Sequence, residues 1–275
     1  MTKYFKCRDF KLPLGKKTYI MGILNVTPDS FSDGGKYNEI ERAVEKAREM
    51  AENGADIIDI GGESTKPGFV PVHMEDELSR VIPVIEIIAK DLHVPISIDT
   101  TKSVVAKKAL QAGAHIINDI WGLQKDSTLA RIAAEFNAGI IVMHNKEDKI
   151  YIDLMQEIKT YLRRSIQIAI NAGIELNHLV IDPGIGFGKT LEHNLEVMRN
   201  LDKLKELEIP VLLGTSRKSL IGNILNLPVA ERVEGTAATV ALGIARGVDF
   251  VRVHDVLEMS RVVKVSDAII RGLEK

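Results

Sequence analysis

Compact apolar runs alternate with longer amphipathic stretches along this chain, and each apolar run breaks into Gly, Ser, Thr, Asn, Asp or Lys. The runs predict eight strands: 18–26 (TYIMGILNV), 55–62 (ADIIDIGG), 95–100 (PISIDT), 115–120 (HIINDI), 139–144 (GIIVMH), 178–184 (HLVIDPG), 210–216 (PVLLGTS) and 249–255 (DFVRVHD). Between them, NEIERAVEKAREMAENG, MEDELSRVIPVIEIIAKDL and LEHNLEVMRNLDKLKEL carry apolar residues at helical spacing. ENGAD, QAGAH, FNAGI and ARGVD precede strands, and each is read as a helix ending on a glycine with access to the left-handed region. Strands that are nearly all apolar belong to a parallel sheet covered on both faces. Such βα units, with no second composition zone and no linker, predict an α/β fold of the (β/α)8 TIM barrel type, a single domain over 1–275. A doubly wound open sheet is the competing fold. Polar residues at nearly every strand's C-terminal end favour a ring over a single switch point.

Composition narrows the partners. The 275 residues are 45% hydrophobic and 27% charged with a formal net charge of −2, so there is no basic field to gather nucleic acid. The single Cys7 sits in a polar N-terminal stretch and has no internal disulfide partner, which suits a reducing compartment. MTKYFKCRDFK lacks the apolar core of a signal peptide, and no apolar run reaches the roughly 18 residues of a membrane span. The expectation is a soluble cytoplasmic protein that contacts neither membrane nor nucleic acid.

The candidate chemistry lies at the strand ends. PGIGFGKT (183–190) imitates a P-loop, but Pro183 stands where its first glycine is required, and Lys189 stands where a dinucleotide fingerprint needs its third. Asp99, Asn118 with Asp119, and Asp182 end three apolar runs. Singly, each is at least as well explained as a helix cap. Together, carboxylates and a carboxamide at one barrel mouth match the amino and ring N–H groups of a flat amino-oxo heterocycle, such as a pterin or guanine. Asp99 and Asp182 fit metal ligation as well, although the lack of nearby His disfavours zinc.

Arg252 and His254 alternate in FVRVHD and so share one face of the last strand. A cation directed into a barrel needs an anion, either bound or built in as an ion pair. Ser216, Arg217 and Lys218 follow the seventh strand at an expected helix start, in the usual phosphate corner of the fold. His144 reads as a satisfied structural histidine, and Trp121 as core packing.

GILNVTPDSFSDGG (22–35) and DIGGESTKPG (59–68) resemble the two signature segments of the dihydropteroate synthase family. The likeness continues in order through SIDTTK, INDI, IDPGIGFGKT, LLGTSRKS, EGTAA and VRVHDV, from about residue 18 to 256. It implies a (β/α)8 barrel that joins 6-hydroxymethyl-7,8-dihydropterin diphosphate to p-aminobenzoate, releasing pyrophosphate in folate synthesis. By that resemblance Asp99, Asn118, Asp182 and Lys218 hold the pterin. Asn25, Arg252 and His254 hold the diphosphate, with Mg2+ near Asn25, and Thr65, Pro67, Phe187 and Ser216 shape the p-aminobenzoate pocket. Phe31, Ser32 and Asp33 belong to a loop that orders over the ligands in the family, Asp33 stabilising a pterin cation. Many members carry Arg where this chain has Lys66, which lacks a bidentate fork. A homodimer through outer helices is expected. A methyltetrahydrofolate:corrinoid methyltransferase, which has no reason for the SRKS and RVH anion cluster, and a non-enzymatic pterin- or nucleotide-binding protein, which would neither use Mg2+ nor release pyrophosphate, are the alternatives.

Overall fold

Two sets of side chains on each apolar run decide the architecture, one facing a barrel interior and one facing helices. The computed structural model describes residues 3–27, 35–63 and 72–273. A two-stranded hairpin comes first, β1 (Tyr4–Cys7) and β2 (Phe10–Pro13), paired antiparallel. Eight barrel strands follow: β3 (Tyr19–Asn25), β4 (Ile57–Gly61), β5 (Ile96–Asp99), β6 (Ile116–Asp119), β7 (Gly139–Met143), β8 (Leu179–Asp182), β9 (Leu212–Leu213) and β10 (Phe250–Val253). Each falls inside one of the eight apolar runs. The crossovers are α1 (Gly35–Glu52), α2 (Met74–Asp91), α3 (Ser103–Ala112), α4 (Thr128–Glu135), α5 (Leu154–Asn171), α6 (Leu191–Arg199), α7 (Ser219–Leu225) and α8 (Val233–Ala245), with α9 (Val256–Ile270) closing the chain.

Hydrogen bonding runs β8-β7-β6-β5-β4-β3-β10-β9, all parallel. The two ends meet where Ile181 bridges Val211 and its N–H donates to the Pro210 carbonyl at 2.9 Å, so the (β/α)8 ring is nearly closed. Outward aliphatics such as Ile58, Ile60, Ile98, Ile140 and Val251 join the helices in one core, each burial being worth about 1.5–3 kcal/mol. Inward residues Tyr19, Met21, Ile57, Ile116, Ile141, Val180, Leu212 and Phe250 form a second core at the barrel's N-terminal end.

The hairpin stoppers that end. Phe5 and Cys7 are fully buried in the second core, with the Phe5 ring 5.6 Å from Phe250 in edge contact. The N-terminal stretch is therefore not the polar tail expected from its charges. Tyr4, Phe5, Lys6 and Cys7 alternate, placing the apolar pair inside and Lys6 outside. Cys7 remains free, and burial pushes its thiol up to about 12. The FNAGI expectation also shifts: Asn137, not Gly139, takes the left-handed conformation (φ 54°). Gly139 instead begins β7, where a Cβ would stand 2.5 Å from the Phe5 ring. Trp121 is not core either; it is half-buried with the Lys125 ammonium 3.7 Å from its ring centroid.

Candidate active site

Strand alternation carries the inward series past the apolar layer into a polar one at the C-terminal mouth. Asp99 and Asp182 end β5 and β8, Asn118 is the last but one residue of β6, and all three are buried, 5–6% exposed. Arg252 enters the same layer from β10. Its Nε donates to Asp59 Oδ2 and its Nη2 to Asp99 Oδ2, both at 2.6 Å. Asn118 Nδ2 donates to the same Asp59 oxygen at 3.2 Å. Asp59 is fully buried and joins Arg252 and Asn118, yet the sequence reading passed over it. Its signal was present in ADIIDIGG, where alternation places Ile57 and Asp59 on one face. Asp59 Oδ1 and the Ser97 hydroxyl have no hydrogen-bond partner among the described residues.

These contacts set the proton affinities. Burial pushes Asp99 up to about 7, while Arg252 pulls the other way. Burial likewise raises Asp182, opposed by Lys218 and by the Gly184 N–H that its Oδ1 accepts at 2.7 Å. Asp119 belongs elsewhere. Its two oxygens accept from the Trp121 and Leu123 N–H groups at 2.9 and 2.6 Å, so it caps the turn after β6.

The anion side forms around β3, β9 and β10. A cleft of about 480 Å³ is lined by Asn25, Lys46, Arg217, His254 and Asp255 among others. Arg217, in the left-handed region at φ 56°, donates Nε to Asp255 Oδ2 at 2.9 Å and pairs Nη2 with the other oxygen. The Ser216 hydroxyl accepts the His254 backbone N–H at 3.1 Å and lies 2.9 Å from His254 Nδ1. Having accepted there, it can give its own proton to Nδ1, which leaves the imidazole proton on Nε2. Ser216 thus orients His254, while the helix after β9 begins three residues later, at Ser219.

Lys218 connects the two sides. Its Nζ donates to the Ile185 carbonyl at 2.5 Å and lies 4.6 Å from the Phe187 ring centroid. Burial lowers its pKa to about 8, with Asp182 working against the shift. Phe187 is half-buried on the glycine-rich turn after β8. The structure brings together Asn25, Asp99, Asn118, Asp182, Phe187, Ser216, Lys218, Arg252 and His254. Asp33, Thr65, Pro67, Phe31, Ser32 and Lys66 lie outside the described residues.

Asn25, half-buried at the end of β3, offers one hard carbonyl oxygen. Among the described residues no group of three or more His, Cys, Asp or Glu is placed to cage a metal. Mg2+ prefers one or two protein oxygens completed by substrate phosphates and water, so the donor set fits an ion that arrives with a diphosphate.

Comparison with known proteins matches residues 21–254 to the family described as pterin binding enzyme. The chain is 56% identical over 259 residues to the Clostridium beijerinckii dihydropteroate synthase, covering 94% of this chain and 96% of that one. It is 52% identical to the Bacillus subtilis dihydropteroate synthase, covering 98% and 94%. A dihydropteroate synthase from Clostridium difficile, solved in the presence of pteroic acid, superposes with a TM-score of 0.92 at 51% identity over 94% of this chain and 98% of that one. The Xanthomonas albilineans dihydropteroate synthase with 4-aminobenzoic acid gives 0.92 at 40% identity over 98% of each chain. A family match across the whole barrel and identities above half over nearly the full length leave one assignment: the chain belongs to the pterin-binding enzymes and, among them, to the dihydropteroate synthases.

Proposed function

We propose that this barrel mouth condenses 6-hydroxymethyl-7,8-dihydropterin diphosphate with p-aminobenzoate, giving 7,8-dihydropteroate and pyrophosphate. The observation that carries the residue-level reading is on β10 and the residue after it, where Arg252 joins the Asp59 and Asp99 carboxylates and His254, two residues on, lines the anion cleft. Asp99, Asn118 and Asp182 face the pterin's amino and ring N–H groups, and Lys218 donates to its ring acceptors. Arg252 and His254 Nε2 bind the diphosphate beside Asn25, close to the first turn of α9, whose free N–H groups favour an anion. Mg2+ held by Asn25 and the phosphate oxygens supplies charge neutralisation of the leaving group when bound.

The C–O bond between the pterin methylene and the diphosphate breaks, and both electrons leave with the phosphate. Arg252 and His254 stabilise that developing charge. The remaining cation is delocalised into the electron-rich ring, near Asp99 and Asp182, and Asp33 is assigned to its stabilisation. The amine of p-aminobenzoate forms the new C–N bond and then loses a proton. An aryl amine is weakly basic, so its lone pair is already free and the protein supplies orientation rather than a general base. Thr65, Pro67, Phe187 and Ser216 are assigned to the p-aminobenzoate pocket, with the benzoate carboxylate near Ser216.

The chain is proposed to act as one domain over 1–275, in the cytoplasm. No helix among the described residues is long and apolar enough to cross a membrane. A homodimer is supported by exposed Leu242 on α8 and by Val265, Ile269 and Ile270 on α9, neighbouring helices that leave apolar side chains in water. The deciding assay is pyrophosphate release from the dihydropterin diphosphate with Mg2+, with and without p-aminobenzoate. Release coupled to dihydropteroate formation is expected. Saturable pterin binding without turnover would move the methyltransferase-like or binding-only alternatives ahead.

A further inference from the structure

The lysine of the false P-loop is not a surface residue. Lys189 is 4% exposed, and its ammonium lies 2.8 Å from His144 Nδ1, 3.0 Å from the Gly184 carbonyl and 3.1 Å from the Phe187 carbonyl. Three ammonium protons meet three acceptors, so the cation is fully hydrogen-bonded without an ion-pair partner among the described residues. His144 can accept at Nδ1 only while neutral, and burial together with the Lys189 charge pushes its pKa down to about 2. A buried cation without a carboxylate is costly to keep, and burial lowers Lys189 itself to about 7.

The turn it holds is tight from both sides. Gly184, Gly186 and Gly188 all have positive φ, and a Cβ on Gly184 would lie 2.0 Å from the His144 carbonyl. The Tyr151 hydroxyl donates to the Gly188 carbonyl at 2.7 Å, fixing the peptide just before Lys189. The same turn presents the Ile185 carbonyl to Lys218 and the Phe187 ring to the mouth.

We propose that Lys189, with Tyr151, is a positioning residue for the aryl-amine substrate: by gathering His144 Nδ1 and the Gly184 and Phe187 carbonyls around its ammonium it sets the place of the Phe187 ring opposite Lys218. The inference rests on the condensation proposed above. Lys189 touches no substrate. Its effect falls on Phe187 first; of the pterin acids only Asp182 adjoins the turn, through the Gly184 N–H that its Oδ1 accepts at 2.7 Å, while Asp99 and Asn118 belong to strands Lys189 does not contact.

The test is steady-state kinetics of Lys189→Met, with folding checked by circular dichroism. The p-aminobenzoate KM is expected to rise about tenfold, the loss of one or two charge-assisted hydrogen bonds, while kcat and the KM for the pterin diphosphate stay within about threefold. A folded variant with an unchanged p-aminobenzoate KM, or with all parameters falling together, overturns the inference. If Lys189→Met does not fold, Tyr151→Phe decides: a rise of about threefold confined to the p-aminobenzoate KM supports the frame, and no change overturns it. Wild-type enzyme is assayed alongside. Failure of the wild type to form dihydropteroate overturns the functional reading and this inference with it, whereas an active wild type beside an unaltered variant overturns the inference alone.

Discussion

Arg252 holds two buried carboxylates at 2.6 Å and is assigned to the diphosphate, so removing it should act twice. Arg252→Ala is expected to lower kcat at least about 100-fold, as loss of a charge that stabilises the leaving group does. The KM for p-aminobenzoate should move far less; a comparable loss from a distant surface Arg would sink the assignment. The same variant leaves Asp59 and Asp99 unpaired, a loss of about 3–5 kcal/mol that urea unfolding would register. Lys218 gives a pH prediction. Its pKa is lowered to about 8, so the ammonium is charged below that pH and neutral above it. Pterin affinity should therefore weaken as pH rises through about 8, and Lys218→Met should flatten that limb in a fluorescence titration. Asp99, Asn118, Asp182 and His254 were legible because each interrupts an apolar run at its end, and Arg252 because it shares a strand face with His254. Asp59 was signalled only by its alternation with Ile57, and the inward turn of Lys189 not at all. One sits a layer below the strand tips and the other in a turn, and their importance depends on partners 193 and 45 residues away in sequence.

At the scale of elements, the end of β4 is fastened by charge. Lys102, which precedes α3, donates to Glu63 Oε2 and Glu77 Oε2, both at 2.5 Å, and Glu77 is fully buried in the first turn of α2. Glu63 Oε1 also accepts the Val72 N–H at 3.0 Å, so one carboxylate links the residues on either side of 64–71. Lys102→Met strands the buried Glu77 charge and should cost about 3–5 kcal/mol in a denaturant melt, with the double variant Lys102→Met/Glu77→Leu recovering much of it. A loss no larger than that of an exposed pair would show the clamp to be ornamental. The barrel strands were readable because a parallel strand buried on both faces has no polar positions except at its mouth. The β1–β2 hairpin was missed because its charged outer residues, Lys6 and Lys11 among them, mask a two-residue alternation too short to stand out. Glycine before a strand was not a sufficient signal, since at 137–139 the left-handed position went to Asn137 and the glycine made room for Phe5.

For the whole molecule, the polar mouth and the apolar floor are opposite ends of one interior, and they should be separable. Phe5→Ala opens the floor where Phe5 packs on Phe250 and against Gly139, and should cost about 3–5 kcal/mol in thermal or urea unfolding. Because the site lies at the other end of the strands, kcat and both KM values should hold within about twofold below the melting range. A kinetic loss as large as the stability loss would mean that the ends are coupled. The order of apolar runs alone determined the eight strands, their parallel sense and the composition of the mouth, because burial on both faces and the period of two are local properties of the sequence. Only the tertiary structure decided that Arg252 bridges Asp59 and Asp99, that Ser216 orients His254 and that Lys189 turns inward onto His144. Those choices were made by ring closure, which brings residues from distant strands within hydrogen-bond range of one another, a distance that no sequence spacing encodes.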